Sequence, residues 1–121
     1  MNYQNLAAWQ KGMDIVNEVY LISKSFPKEE LFGLTSQARR AAVSIPTNIA
    51  EGIGRNYKKE TIQFLHVARG SAYELETLLK IIINIGLINA ENIEPILRMI
   101  DEEKRIINGL IKSYEERADL K

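Results

Sequence analysis

With 121 residues, 45% of them hydrophobic, the chain suits one domain with one core, over residues 1–121, and is too apolar for disorder. It has no cysteine, which excludes disulfides, thiolate metal sites and cysteine nucleophiles, and its zero net charge argues against a general polyanion binder. The N-terminus is interrupted by Gln10, Lys11 and Asp14, unlike a signal peptide, and the longest apolar stretch, residues 78–88, is shorter than the ~20 residues of a bilayer span, so a cytoplasmic protein is expected.

The apolar spacing is helical throughout, and no segment alternates as a strand would. A first helix is predicted over 6–25, with Asn5 as N-cap. Leu6, Trp9, Met13, Val16 and Tyr20 form its inner stripe, widened by Ile15, Val19 and Ile22. Phe26-Pro27 ends it, because a residue before proline is driven out of the helical region. A loop follows over 27–34. Thr35 is the expected N-cap of a second helix running to residue 53, with Ala38, Ala42, Ile45 and Ile49 inside and Ala41 beside them. Pro46 lies within this pattern and predicts a kink near 43–45. Gly52 and Gly54 are expected to end the helix.

The third helix is predicted over 58–85, with Leu65, Ala68, Ala72, Leu75, Leu79 and Ile82 as its seam and Gly86 as the residue that stops it. Gly70 suits a place where another backbone comes close. The fourth helix is predicted over 90–116, capped by Asn89, with Ile93, Leu97, Ile100, Ile107, Ile111 and Tyr114 inward. Four amphipathic helices with short connections predict an all-α fold, an antiparallel up-down-up-down four-helix bundle with a kinked second helix. Ile81, Ile82, Ile83 and Ile85 leave the end of helix 3 apolar nearly all round, so either neighbouring loops or another subunit cover it.

Charge is segregated along the chain. Residues 35–70 carry +4, from Arg39, Arg40, Arg55, Lys58, Lys59 and Arg69 against Glu51 and Glu60, while the flanking segments carry −1 and −3. The basic segment is either a polyanion-facing surface or a solvated face paired with acidic neighbours. Arg39, Arg40, Arg55, Lys58 and Lys59 are the nucleic-acid-binding candidates. Arginine forks onto phosphate, lysine is a point charge, and Tyr57 among them is either a base-stacking ring or a hydrophobic staple.

Other motifs weigh against catalysis. His66 is the only histidine and has neither the Glu-x-x-His spacing of a di-metal bundle nor a nominated nucleophile. Gly52-Ile53-Gly54-Arg55 has glycines like a phosphate loop, but lacks the preceding strand and the Gly-Lys-Ser/Thr. Glu51 and Glu74 lie beside apolar stripes, with Arg39, Arg40 and Arg69 as candidate partners within or between subunits. No enzymatic activity, metal or cofactor is expected.

The order of short motifs then carries a resemblance. Leu6-Ala7-Ala8-Trp9-Gln10-Lys11 opens helix 1, and Phe26-Pro27-Lys28-Glu29-Glu30-Leu31-Phe32-Gly33-Leu34-Thr35 fills the first loop. Helix 2 reads Gln37-Ala38-Arg39-Arg40-Ala41-Ala42-Val43-Ser44-Ile45-Pro46-Thr47-Asn48-Ile49-Ala50-Glu51-Gly52. Phe64-Leu65, Ala68-Arg69-Gly70-Ser71 and Glu74-Leu75-Glu76 lie on helix 3. The chain resembles the four-helix-bundle proteins of the 23S rRNA intervening-sequence family over at least 6–110, most specifically over 39–52. Members resemble cytoplasmic bacterial proteins, some of them ribosomal-protein-like by label and some encoded inside insertions in the large-subunit ribosomal RNA gene. The family is similar in fold to the strongly basic accessory protein of diversity-generating retroelements, a pentameric bundle that binds nucleic acid and reverse transcriptase. The resemblance implies a homopentamer that binds RNA, rRNA included, without cofactor or catalysis. The polar positions it matches are Arg39, Arg40, Asn48, Glu51, Arg69, Ser71 and Glu74; of these Asn48, Glu51, Arg69, Ser71 and Glu74 are the candidate structural or interface residues. Two readings stand: an oligomeric bundle contacting structured RNA, or an oligomeric adaptor binding another protein without RNA.

Overall fold

The computed structural model describes residues 2–117. Its helices are α1 (Ala7–Ser23), α2 (Ser36–Gly54), α3 (Lys58–Asn84) and α4 (Ala90–Glu115). α1 packs on α2 and α4, and α3 packs on α2 and α4, so the bundle closes with each helix against its chain neighbours and α4 against α1. This is the predicted antiparallel up-down-up-down four-helix bundle, and no strand occurs among the described residues.

The inner stripes of α2, α3 and α4 are those the spacing predicts. Ala38, Ala42, Ile45 and Ile49, then the seam from Leu65 to Ile82, then Ile93 through Tyr114, are all buried. In α1 Ile15 and Val19 are buried as the spacing predicts, but the rest of the buried line is Ala8, Gly12 and Ser23. The predicted stripe of Leu6, Trp9, Met13, Val16 and Tyr20 lies one position round from it, at the edge of the α1–α2 seam. The reason is close approach. Ala8, Gly12 and Ser23 are small enough to let the side chains of neighbouring helices come close, while the bulkier residues overhang the seam. At Gly12, a Cβ would stand 3.1 Å from Glu103 Oε2 and 3.3 Å from Pro46.

Helix boundaries differ from expectation where capping chemistry decides them. Asn5 does not cap α1. A 3-10 turn, Tyr3–Asn5, precedes it, capped by the Asn2 side chain accepting from Gln4 N–H at 2.9 Å. Thr35 does not cap α2 either: its backbone is helical, and the supposed loop holds a 3-10 turn (Lys28–Glu30) and a π turn (Leu31–Thr35) kinked at Gly33 (φ −112°, ψ −111°) before the chain enters α2. Asn89 stands at the α4 N-cap position but makes no side-chain cap bond.

The glycines sort differently too. Gly52 lies inside α2, where a Cβ would come within 2.8 Å of Phe64 Cβ, and its carbonyl accepts from Thr61 Oγ1 at 2.7 Å. Gly52 is therefore the point where α2 and α3 touch. Gly70, expected at such a contact, is exposed with open space around it. Gly86 does stop α3: it has φ +79°, and Leu87 N–H to Ile82 O with Gly86 N–H to Ile83 O complete a Schellman end.

Pro46 sits within α2, whose helical run is unbroken on both sides. It removes the donor to the Ala42 carbonyl. Beside it, Thr47 Oγ1 donates to Val43 O and Asn48 Nδ2 to Ser44 O, both at 2.8 Å, which supports the turn the proline weakens.

Candidate functional site

The five basic candidates divide between the two ends of α2. Arg39 and Arg40 sit near its start, Arg55 just beyond its end, and Lys58 and Lys59 in the first turn of α3. Arg40 and Arg55 are 15 residues apart, roughly 22 Å along a helix.

At the α2–α3 turn the cations are engaged. Arg55 donates to Glu51 at 2.8 Å, lies 3.6 Å from Glu60, and its guanidinium stacks 4.9 Å from the Phe64 ring centre. Lys58 Nζ donates to the Arg117 carbonyl at 2.8 Å. Lys59 and Tyr57 are exposed.

At the other end Arg39 is held but not neutralised. Its Nε donates to Ser23 Oγ at 2.8 Å, and its guanidinium lies 4.8 Å from the centre of the Tyr20 ring. Arg39, Arg40 and Tyr20 line a groove of about 450 Å³ with Ser44, Thr47 and Asn48, and no carboxylate contributes to it. Val43 and Thr47 also border a larger groove, about 550 Å³, whose walls are Tyr3, Trp9, Met13, Val16, Pro46 and Ala50, with Glu51 at its edge. The displaced stripe of α1 thus lines a mostly apolar trough that leads to a cationic end.

Of the remaining polar candidates, Asn48, Ser71 and Arg69 make hydrogen bonds within the chain. Ser71 and Ser44 share a hydrogen bond at 2.7 Å across α3 and α2, and Asn48 Nδ2 reaches Ser44 Oγ at 2.9 Å. Arg69 ties α3 to α4 through Asn108 Oδ1 at 2.7 Å and donates to His66 Nδ1 at 2.8 Å. Neither Glu51 nor Glu74 meets Arg39, Arg40 or Arg69: Glu51 takes its own helix neighbour Arg55, and Glu74 is exposed. Glu76 is the carboxylate that bridges α3 and α4. Lys104 Nζ lies 3.1 Å from it, 3.2 Å from Asp101 and 4.5 Å from the Tyr73 ring centre. Burial pushes the Lys104 ammonium down, but hydrogen bonds to Glu76 and Asp101 outweigh that and hold it above its ordinary value.

Glu103 is the polar residue the sequence reading missed. It is 0% exposed, among the most enclosed side chains of the core, and neither carboxyl oxygen has a hydrogen-bond partner. Burial pushes its carboxyl up to about 8; the Lys11 charge opposes this and the Glu102 charge adds to it. Lys11 is itself held by Glu102 at 2.7 Å, across the α1–α4 seam. The signal was present in the spacing. Ile100 and Ile107 leave a gap that position 103 fills at three and four residues. Among the described residues no group of His, Asp or Glu side chains could hold a metal ion.

The profile of the 23S rRNA-intervening sequence protein family matches residues 4–109. The chain belongs to that family. This family member is also similar in fold to a crystallised protein of unknown function from the S23 ribosomal protein family of Bacteroides thetaiotaomicron VPI-5482, with a TM-score of 0.81 and 23% identity over 88% of this chain and 99% of the other. No curated protein matches it. No helix among the family member's described residues is long and apolar enough to cross a membrane.

Proposed function

We propose that the chain is a non-enzymatic, cytoplasmic homo-oligomer that associates with structured RNA, ribosomal RNA above all. One observation carries this reading: the carboxylate-free groove that presents Arg39 and Arg40 beside Tyr20 and Asn48. The Arg39 Nη atoms have no protein acceptor among the described residues, so the guanidinium is pinned in orientation with its phosphate-binding edge unused. Arg55, Lys58 and Lys59 extend the basic surface at the far end of α2. Arg40 and Arg55 differ by about 60° around the helix, so one polyanion can reach both.

Assembly is supported by apolar surface that one chain leaves uncovered. Trp9, Met13 and Val16 line the trough with Val43 and Pro46. At the end of α3, Ile83, Leu87 and Ile88 pack onto the core, but Ile81 and Ile85 stay exposed. Five copies, as the family resemblance implies, would repeat each basic patch and raise the local field. The alternative is an adaptor that binds another protein without RNA, and the same apolar trough favours it.

A titration of labelled structured rRNA fragments at rising salt, alongside sedimentation analysis, tests the reading. Saturable binding whose affinity falls with salt, and drops ~10-fold or more in Arg39→Glu/Arg40→Glu, is expected. Absence of binding at low salt from an assembled oligomer would transfer the function to the adaptor.

A further inference from the structure

We propose that the pocket at the α1–α2 connection is a phosphate seat, in which Arg39, Lys24 and Lys28 hold the oxyanion of a nucleotide or of free phosphate. The pocket has a volume of about 150 Å³, enough for one phosphate group with little to spare. Its polar lining is Ser23, Lys24, Lys28, Thr35 and Arg39, and no carboxylate takes part. None of the three cations forms an ion pair among the described residues, so the charge stands at +3 with nothing opposite it. Glu29 and Glu30 are on the same connection but outside the lining, and Glu30 Oε1 accepts from Leu34 N–H at 3.3 Å.

The seat is built rather than incidental. Ser23 Oγ donates to the Tyr20 carbonyl at 3.3 Å and accepts from Arg39 Nε, so the guanidinium is fixed on one edge by a hydroxyl and on one face by the Tyr20 ring. Its remaining fork matches two oxygens of a phosphate. The end of α1 would otherwise repel an anion through its free carbonyls. Those carbonyls are occupied: Ile22 O takes Ser25 Oγ at 2.7 Å, Ser23 O takes Phe26 N–H at 3.1 Å and Leu21 O takes Lys24 N–H at 3.3 Å. Phe26, Pro27 and Leu31 supply an apolar backing that strengthens the charge interaction. Thr35, which also lines the pocket, keeps its hydroxyl buried just behind the surface with no protein partner, an unused donor of the kind protein interiors seldom leave. Phe32, next to Leu31, is 94% exposed and offers a platform for a base attached to the seated phosphate.

The proposal does not depend on RNA being the natural ligand, since the seat takes the phosphate group itself. Inorganic phosphate titrated into the whole protein at low ionic strength, followed by phosphorus NMR, tests it. Saturable binding is expected, weakened ~10-fold or more in Arg39→Gln and in Lys24→Gln/Lys28→Gln, with circular dichroism unchanged. The lysine pair is exposed, so that variant keeps the test valid if Arg39→Gln disturbs the loop. Absence of saturable binding by the unaltered protein, or equal binding by a folded lysine variant, overturns the proposal. Competition then identifies the source. An oligoribonucleotide with a 5′ phosphate displacing inorganic phosphate better than its dephosphorylated twin assigns a terminal phosphate. Equal displacement by both, weakened by Phe32→Ala, assigns the RNA backbone. Displacement by neither assigns free phosphate, and the RNA reading then falls while the seat stands.

Discussion

With both oxygens enclosed and no donor within reach, Glu103 keeps its proton because ionisation would leave an unpaired charge in the core. In the folded chain its carboxyl titrates at about 8 rather than 4.5. A raised folded value means that the native state holds a proton the unfolded state has lost. The stabilising contribution is therefore complete below about pH 4.5 and is lost as pH rises toward 8. Each pH unit in that window removes up to about 1.4 kcal/mol. Urea denaturation from pH 5 to pH 8 is expected to show this decline, and Glu103→Gln, which keeps the shape without the charge, is expected to flatten it and be the more stable protein at pH 8. A parallel decline in both proteins would refute the assignment. Position 103 was legible as an inward position from the spacing of Ile100 and Ile107, but its charge masked it, because an acidic residue in an apolar pattern reads as surface.

Among the elements, α2, α3 and α4 were legible because their large apolar residues coincide with their buried lines. α1 was legible only in part: Ile15 and Val19 are buried as the spacing predicts, but the rest of its line is Ala8, Gly12 and Ser23, whose small size carries no hydrophobic signal. The glycines make the same point, and they make a test. Gly52 abuts Phe64, so Gly52→Ala forces the α2–α3 contact apart and is expected to destabilise by ~1–3 kcal/mol. Gly70 has open space in the interior of α3, so Gly70→Ala is expected to stabilise by ~0.5–1 kcal/mol through helix propensity alone. Thermal melts of the two variants should move in opposite directions. The basic candidates were only partly legible for a related reason. Lys24 and Lys28 fall in the segment with charge −1, and only the fold brings them to Arg39.

Over the whole molecule, the cationic groove and the apolar trough share the α1–α2 side, joined at Val43 and Thr47. The seam of α1 against α4 has another character. Gly12 and Glu103 meet there across 91 positions of chain, while the other helix pairs, α1–α2, α2–α3 and α3–α4, are joined by short connections. Such distant parts come together only after the intervening hairpins have shortened the path between them. The α1–α4 seam is thus expected to close after the rate-limiting step of folding. Gly12→Ala should then act by raising the unfolding rate while leaving the refolding rate nearly untouched, whereas Gly52→Ala should slow refolding. Stopped-flow kinetics of the Gly12→Ala and Gly52→Ala variants would separate the two. On this view the lifetime of the folded chain is governed by the seam between its first and last helices rather than by the one that carries the proposed binding groove.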